Sequence, residues 1–160
     1  MMQRRKLMHG LVALTTAVLA PQLVAKTQPT VEVWKDPNCG CCKDWVAHLQ
    51  ANGFAVKVND SGNAAARARL HISEKLGSCH TAKVGDYALE GHVPAREIQR
   101  LLIEKPKVIG LAVPGMPVGS PGMDTSFYRG RVDAYDVLLV LEDGTTRVYK
   151  SYPAKPSIKS

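Results

Sequence analysis

The stretch Val31-Glu32-Val33-Trp34-Lys35-Asp36-Pro37-Asn38-Cys39-Gly40-Cys41-Cys42 decides how this chain folds. Val31 to Trp34 reads as a short strand, because β-branched residues alternate with larger ones. Asp36-Pro37-Asn38 is a turn, and Asp36 or Asn38 is available to cap a helix that begins near Cys39. That helix runs to about Ala51 with Cys42, Val46 and Leu49 on one face, and Asn52-Gly53 stops it. Cys39 and Cys42 thus form a CxxC pair between a strand end and a helix start. Backbone N–H groups and the helix dipole favour a thiolate there, at Cys39 in particular.

Outward from this point, Phe54 to Val58 reads as a second strand, and Ala-rich Asn63 to Leu76 as a second helix that Gly77 closes. Thr81 to Val84 and Tyr87 to Val93 are two strands around the turn Gly85-Asp86. Pro94 suits the first position of a third helix carrying Ile98, Leu101 and Leu102, which Pro106 ends. The order βαβαββα predicts an α/β protein. Crossover helices give a parallel pair and the hairpin an antiparallel one, hence a mixed sheet flanked by helices. From Gly110 to Met123 half the residues are Gly or Pro, and Pro-Gly-Met occurs at 114–116 and 121–123. An irregular segment is expected there, since Pro lacks a donor and Gly weakens helix and strand alike. Val137 to Val140 and Thr145 to Lys150, joined through Asp143-Gly144, predict a terminal β-hairpin. The tail from Pro153 is expected to be loose.

The first 25 residues read as an address. Met1 to Lys6 is short and basic, and Leu7 to Ala20 is mostly apolar but shorter than the roughly 20 residues a bilayer span needs. A secretory signal cleaved after Ala25 is expected, with the mature protein exported and free of the membrane. Arg4-Arg5-Lys6 loosely matches a twin-arginine signal as well. Three of the 21 basic residues lie in this segment and no acidic residue precedes Glu32, so the +7 charge of the 160-residue chain falls to +4 after cleavage. That is too mild for a nucleic-acid binder with its concentrated basic stripes. Neither GxxxxGK[ST] nor GxGxxG occurs, so a phosphate-cradling enzyme has no support. The chain divides into residues 1–25 as signal, 26–105 as the α/β domain, and 106–160 as an extension with the hairpin.

The chemistry lies in sulfur. Three of four cysteines, Cys39, Cys41 and Cys42, fall within four positions, and the fourth stands in Cys79-His80. A structural disulfide set fits poorly, because a chain of this size has core enough to dispense with staples. Zinc accepts Cys and His, but adjacent Cys79-His80 lacks the usual ligand spacing. A metal-independent thiol-disulfide oxidoreductase needs only the CxxC and leaves Cys41 and Cys79 idle. Soft-metal binding uses them all, and thiolate with thioether selects Cu(I) while imidazole also tolerates Cu(II). Met116 and Met123 are the only methionines beyond the first 25 residues, and both lie in the Gly/Pro segment. At least one of them is a candidate ligand. His80 is a candidate ligand too, and His92 either closes the site or satisfies a carbonyl. His48 and His71 read as surface residues, and Trp34 and Trp45 as core.

The βαβαββα order with a CxxC at the first strand–helix junction resembles the thioredoxin fold, in which the loop facing that motif normally carries a proline. Here that loop is Gly77-Ser78-Cys79-His80-Thr81. Four runs carry a more specific resemblance: Trp34 to Cys42, Ser78-Cys79-His80-Thr81-Ala82, Glu90-Gly91-His92-Val93-Pro94-Ala95, and Gly110 to Met123. Together they resemble the CopG-type family of small periplasmic copper-resistance proteins with a CxCC motif, and the likeness covers nearly all the mature chain.

The resemblance implies a thioredoxin-like domain whose C-terminal extension helps bind metal. It also implies a cysteine-bridged copper site and interconversion of Cu(I) and Cu(II) in aid of detoxification and export. Carried over, the metal ligands are Cys39, Cys41, Cys42, Cys79, His80, Met116 and Met123, with Cys39 and Cys42 as the reacting pair. The protein is then expected to be a periplasmic monomer that binds copper and works beside the export machinery. A metal-independent thiol-disulfide oxidoreductase and a passive copper carrier are the alternatives.

Overall fold

The computed structural model describes residues 28–157; the signal expected at 1–25 lies outside them. Strand β1 (Thr30–Lys35) leads into helix α1 (Gly40–Ala51), and β2 (Ala55–Asn59) lies parallel to β1. Helix α2 (Ala64–Arg69) and a 3₁₀ turn (Glu74–Leu76) then lead to the hairpin of β3 (His80–Val84) and β4 (Tyr87–Glu90). Helix α3 (Ala95–Glu104) carries the chain to β5 (Gly110–Ala112), and a 3₁₀ turn (Ser126–Tyr128) precedes the hairpin of β6 (Tyr135–Val140) and β7 (Thr146–Tyr152). One mixed sheet has the order β2-β1-β3-β4-β5-β6-β7. It runs unbroken across the expected boundary at residue 105.

Both faces of the sheet are covered, and the strand period shows how. Leu89, Leu111 and Leu139 join a core with Trp45, Leu49, Ile98 and Leu101, so α1 and α3 cover that face. Their neighbours Ala88, Ala112 and Val140 point the other way and pack with Ile72 and Leu76. Gly110 is required where β5 meets β4, because a Cβ there would fall inside the Ala88 backbone.

Two elements differ from expectation. The helix expected over 63–76 breaks after Arg69, where His71 takes a left-handed conformation with φ 58° and Ser73 restarts the chain by accepting the Lys75 N–H. The segment expected to be irregular from Gly110 begins as strand β5, paired with β4 in parallel and β6 in antiparallel fashion. Three buried residues suffice for that short strand, and Pro114 ends it.

Candidate metal centre

Register places the sulfurs. β1 pairs with β3 so that Lys35 stands opposite His80, which brings the end of β1, and hence the start of α1, beside the loop that enters β3. Asp36 spends its carboxylate on the Asn38 N–H at 2.8 Å, while its carbonyl takes the Cys39 N–H at 3.1 Å. Cys39 itself is the N-cap of α1, with no side-chain cap and no acidic residue in the first turn. The helix therefore presents a bare, partially positive end to its own cysteines.

Cys39 and Cys42 are joined as a disulfide, and Cys41 and Cys79 are free. The Cys41 sulfur lies 3.6 Å from that of Cys39 and 3.7 Å from that of Cys79. Cys42 is fully buried with its sulfur 3.6 Å from the Cys79 carbonyl oxygen. All four sulfurs fall within 4.8 Å of one another. Engagement of all four by a metal requires the disulfide to be reduced.

Two imidazoles flank Cys79. Its sulfur is 3.3 Å from His80 Nδ1 and 3.1 Å from His92 Nε2. His92 donates its Nδ1–H to the Pro121 carbonyl at 2.8 Å, which assigns the free lone pair to Nε2, on the side of the sulfur. His80 is fully buried, lies 4.2 Å from the Trp45 ring and 4.9 Å from that of His92, and its Nε2 has no partner. Burial holds His80 well below the ordinary histidine pKa, with the nearby His92 adding to the effect, and burial lowers His92 as well. Both rings are therefore neutral at pH 7, the form that ligates metals. Burial first, then the neighbouring Cys41, pushes the Cys79 thiol up to about 12. Cys79 keeps its proton until a metal or a base takes it. Four sulfurs and two neutral imidazoles make a soft donor set, suited to copper more than to hard cations.

The extension wraps the site. Gly115 donates its N–H to the Gly77 carbonyl at 3.1 Å and accepts from the Ser78 hydroxyl. Gly122 lies against the first turn of α1, where a Cβ would come within 2.5 Å of the Cys41 carbonyl oxygen and 2.8 Å of the Trp45 nitrogen. Met116 follows Gly115 and is half-exposed at 52%, whereas Met123 is partly buried and closes a turn by accepting the Gly119 N–H at 2.7 Å. Among the candidates, geometry gathers the four cysteines with His80, and adds His92. In the sequence His92 stands at a strand end within the run Glu90 to Ala95, where closing the site and satisfying a carbonyl are both open to it, and the structure shows it doing the second while facing Cys79.

Other histidines and tryptophans have plainer roles. His48 is half-buried and accepts the Ala95 N–H at 3.1 Å, capping α3 instead of facing solvent. His71 is exposed, just beyond α2. Trp45 is core and donates to the Val93 carbonyl at 2.9 Å, while Trp34 is half-buried beneath the Arg69 guanidinium, 4.7 Å from its ring centroid.

Comparison with known proteins shows what the chain is similar to. A family model described as a protein of unknown function, DUF411, matches residues 76–123, which hold Cys79, both flanking histidines and both Pro-Gly-Met turns. No curated protein matches the sequence. Two solved structures, copper resistance protein CopG in Form 2 and Form 1, are each 44% identical with a TM-score of 0.73. The alignment covers 79% of this chain in both cases, and 100% and 99% of those chains. With that identity over the full length of its relatives, and a cysteine cluster able to hold metal, the chain belongs to the family of copper resistance protein CopG.

Proposed function

We propose that this protein binds copper in the periplasm through a thiolate-bridged site on a thioredoxin-like domain, and interconverts Cu(I) and Cu(II). One observation carries the reading: four sulfurs drawn from the start of α1 and from the loop before β3 lie within 4.8 Å in a chain 44% identical to copper resistance proteins. Copper is the substrate here. Cys39 and Cys42 as thiols supply two electrons when they close to the disulfide, enough to reduce two Cu(II) to two Cu(I) with release of two protons. Cys41 bridges between Cys39 and Cys79, and neutral His80 and His92 complete the set on the Cys79 side. Met116 and Met123 add thioether ligands from the extension.

Export through a signal at residues 1–25 delivers the protein to the compartment where copper detoxification and the export machinery operate. The protein acts as a monomer with no membrane attachment of its own. Among the described residues no helix is long and apolar enough to cross a membrane.

The test is a pair of anaerobic titrations of the reduced protein, one with Cu(I) and one with Cu(II), each followed by elemental analysis, spectroscopy and a thiol count. Copper bound to the wild type and lost from Cys79→Ser, together with one disulfide formed per two Cu(II) reduced, supports the reading. Copper bound without redox exchange identifies a passive carrier. The disulfide itself favours a second reading, a metal-independent thiol-disulfide oxidoreductase. It predicts no copper uptake and dithiol exchange abolished by Cys39→Ser.

A further inference from the structure

A charged pair is buried behind the cysteine loop, and none of the chemistry above uses it. Glu90 ends β4 with its carboxylate wholly shielded from solvent, paired with an Arg67 side chain that is 16% exposed. Burying a charge is costly unless geometry and hydrogen bonds offset it. Here both carboxylate oxygens are hydrogen-bonded, Oε1 three times over. Glu90 Oε1 accepts Arg67 Nε at 3.0 Å, Arg67 Nη2 at 2.8 Å and the Ser78 N–H at 2.7 Å, while Oε2 accepts the Thr81 hydroxyl at 2.6 Å. Arg67 Nη2 also donates to the Ser78 carbonyl at 2.7 Å.

The residue so held is the one before Cys79. Both the N–H and the C=O of Ser78 are tied to one ion pair, and Asn63 adds a donor to the same carbonyl at 3.2 Å. The Ser78 side chain is placed by a third tie, to the Gly115 carbonyl. Gly91, just past β4, has φ 70°, and a Cβ there would come within 2.6 Å of the Ser78 hydroxyl oxygen, so the Ser78 side chain is seated closely against the end of that strand. Ordinary loops lie on the surface and take their hydrogen bonds from water. This one takes them from a buried salt bridge, at the position where a proline would stiffen the loop in the fold that the sequence resembles.

We propose that Arg67 and Glu90 are positioning residues that hold Cys79 opposite Cys41, and thereby set the geometry of the sulfur cluster. They touch neither a sulfur nor a metal. Their effect runs through the Ser78 peptide groups, as partners of ligands do in metal sites, where loss of such a partner typically costs 10- to 100-fold in affinity. The copper readout of this proposal rests on the copper-binding reading, whereas its sulfur-placement readout does not.

The experiment uses the full chain and two variants, Glu90→Gln and Arg67→Lys. The first keeps shape but replaces one accepting oxygen with a donor, and the second keeps charge but loses the forked reach to both Glu90 and Ser78. Val84→Ala, a core truncation at the far end of β3, serves as a control for general loss of stability. Metal-free placement is read as the rate at which an added mild oxidant joins Cys41 to Cys79 in a background where Cys39 and Cys42 are serine. Copper binding is read as Cu(I) affinity by chelator competition in the native cysteine background.

Glu90→Gln is expected to slow the cross-link tenfold or more and to weaken Cu(I) about as much. Arg67→Lys should fall between it and the wild type, and the control should leave both readings near wild type. Should Glu90→Gln fail to fold, Arg67→Lys alone decides. Wild-type cross-linking in either folded variant, or equal slowing by Val84→Ala, overturns the proposal. If no protein takes up copper but the cross-link still slows, the positioning proposal stands and the copper reading falls.

Discussion

Replacing Gly122 with alanine should loosen the extension from the metal centre, and the size of the effect follows from three terms. Gly122 has φ 85°, a left-handed conformation that costs an alanine about 1 kcal/mol. The new Cβ would sit 2.5 Å from the Cys41 carbonyl oxygen and 2.8 Å from the Trp45 nitrogen, both backbone atoms of a helix that cannot yield. The loop must draw back by about half an ångström, and overpacking of this kind costs about 1 kcal/mol or more. Its retreat carries the neighbouring Pro121 carbonyl away from His92 Nδ1, now at 2.8 Å, and forfeits about 1 kcal/mol for that hydrogen bond.

The sum is about 3 kcal/mol, read as a shift in the urea midpoint at unchanged slope. Gly144→Ala isolates the first term, because Gly144 has φ 80° with nothing within 4 Å, and should cost about 1 kcal/mol. Because His92 also loses the carbonyl that orients it, Cu(I) affinity should fall about tenfold in Gly122→Ala and not in Gly144→Ala. If Gly122→Ala is no worse than Gly144→Ala in both measurements, the close seating of the loop on α1 is refuted.

Further outcomes follow from the same geometry. Gly110→Ala should prevent β5 from pairing, since its Cβ would meet the Ala88 carbonyl, and a loss above about 3 kcal/mol or failure to fold is expected in thermal melts. His48, His80 and His92 all have pKa values lowered by burial, so below pH 6.5 the unfolded chain binds protons that the folded one refuses. Stability of the metal-free protein is then full above pH 6.5 and falls with acidification toward the folded values. The slope approaches about 1.4 kcal/mol per pH unit for each histidine. Urea unfolding at pH 7, 6 and 5 checks this, and a flat profile contradicts it. Met116→Leu with Met123→Leu should leave the thiol titre unchanged while weakening Cu(I) by about tenfold, as chelator competition would show.

Much of this architecture is legible in the sequence because local signals agree with tertiary demands. Helix α1 starts and stops within a residue of where Asn38-Cys39 and Asn52-Gly53 place it, and the Gly85-Asp86 and Asp143-Gly144 turns mark both hairpins. The second helix is longer in the sequence than in the fold. Strong helix formers continue through Leu76, yet Ile72 and Leu76 are needed under the sheet, and a turn at His71 delivers them. Strand β5 is hidden for the opposite reason, since its Gly110 is a packing requirement and not a break. The sulfur cluster is legible as a list of residues but not as a shape. Only the register of Lys35 with His80 puts Cys79 beside the helix start. The roles of His92, His48 and Glu90 come from long-range contacts to Pro121, Ala95 and Ser78, which no local pattern announces.

The tilted contact of Trp45 with His80 has a practical consequence. An indole 4.2 Å from an imidazole that borders the sulfurs lies within easy quenching distance of any copper ion held there. Light emitted by this tryptophan becomes an internal gauge of occupancy that needs no dye or tag. With Trp34→Phe removing the second of the chain's two tryptophans, filling of the pocket in the purified protein could be followed in real time.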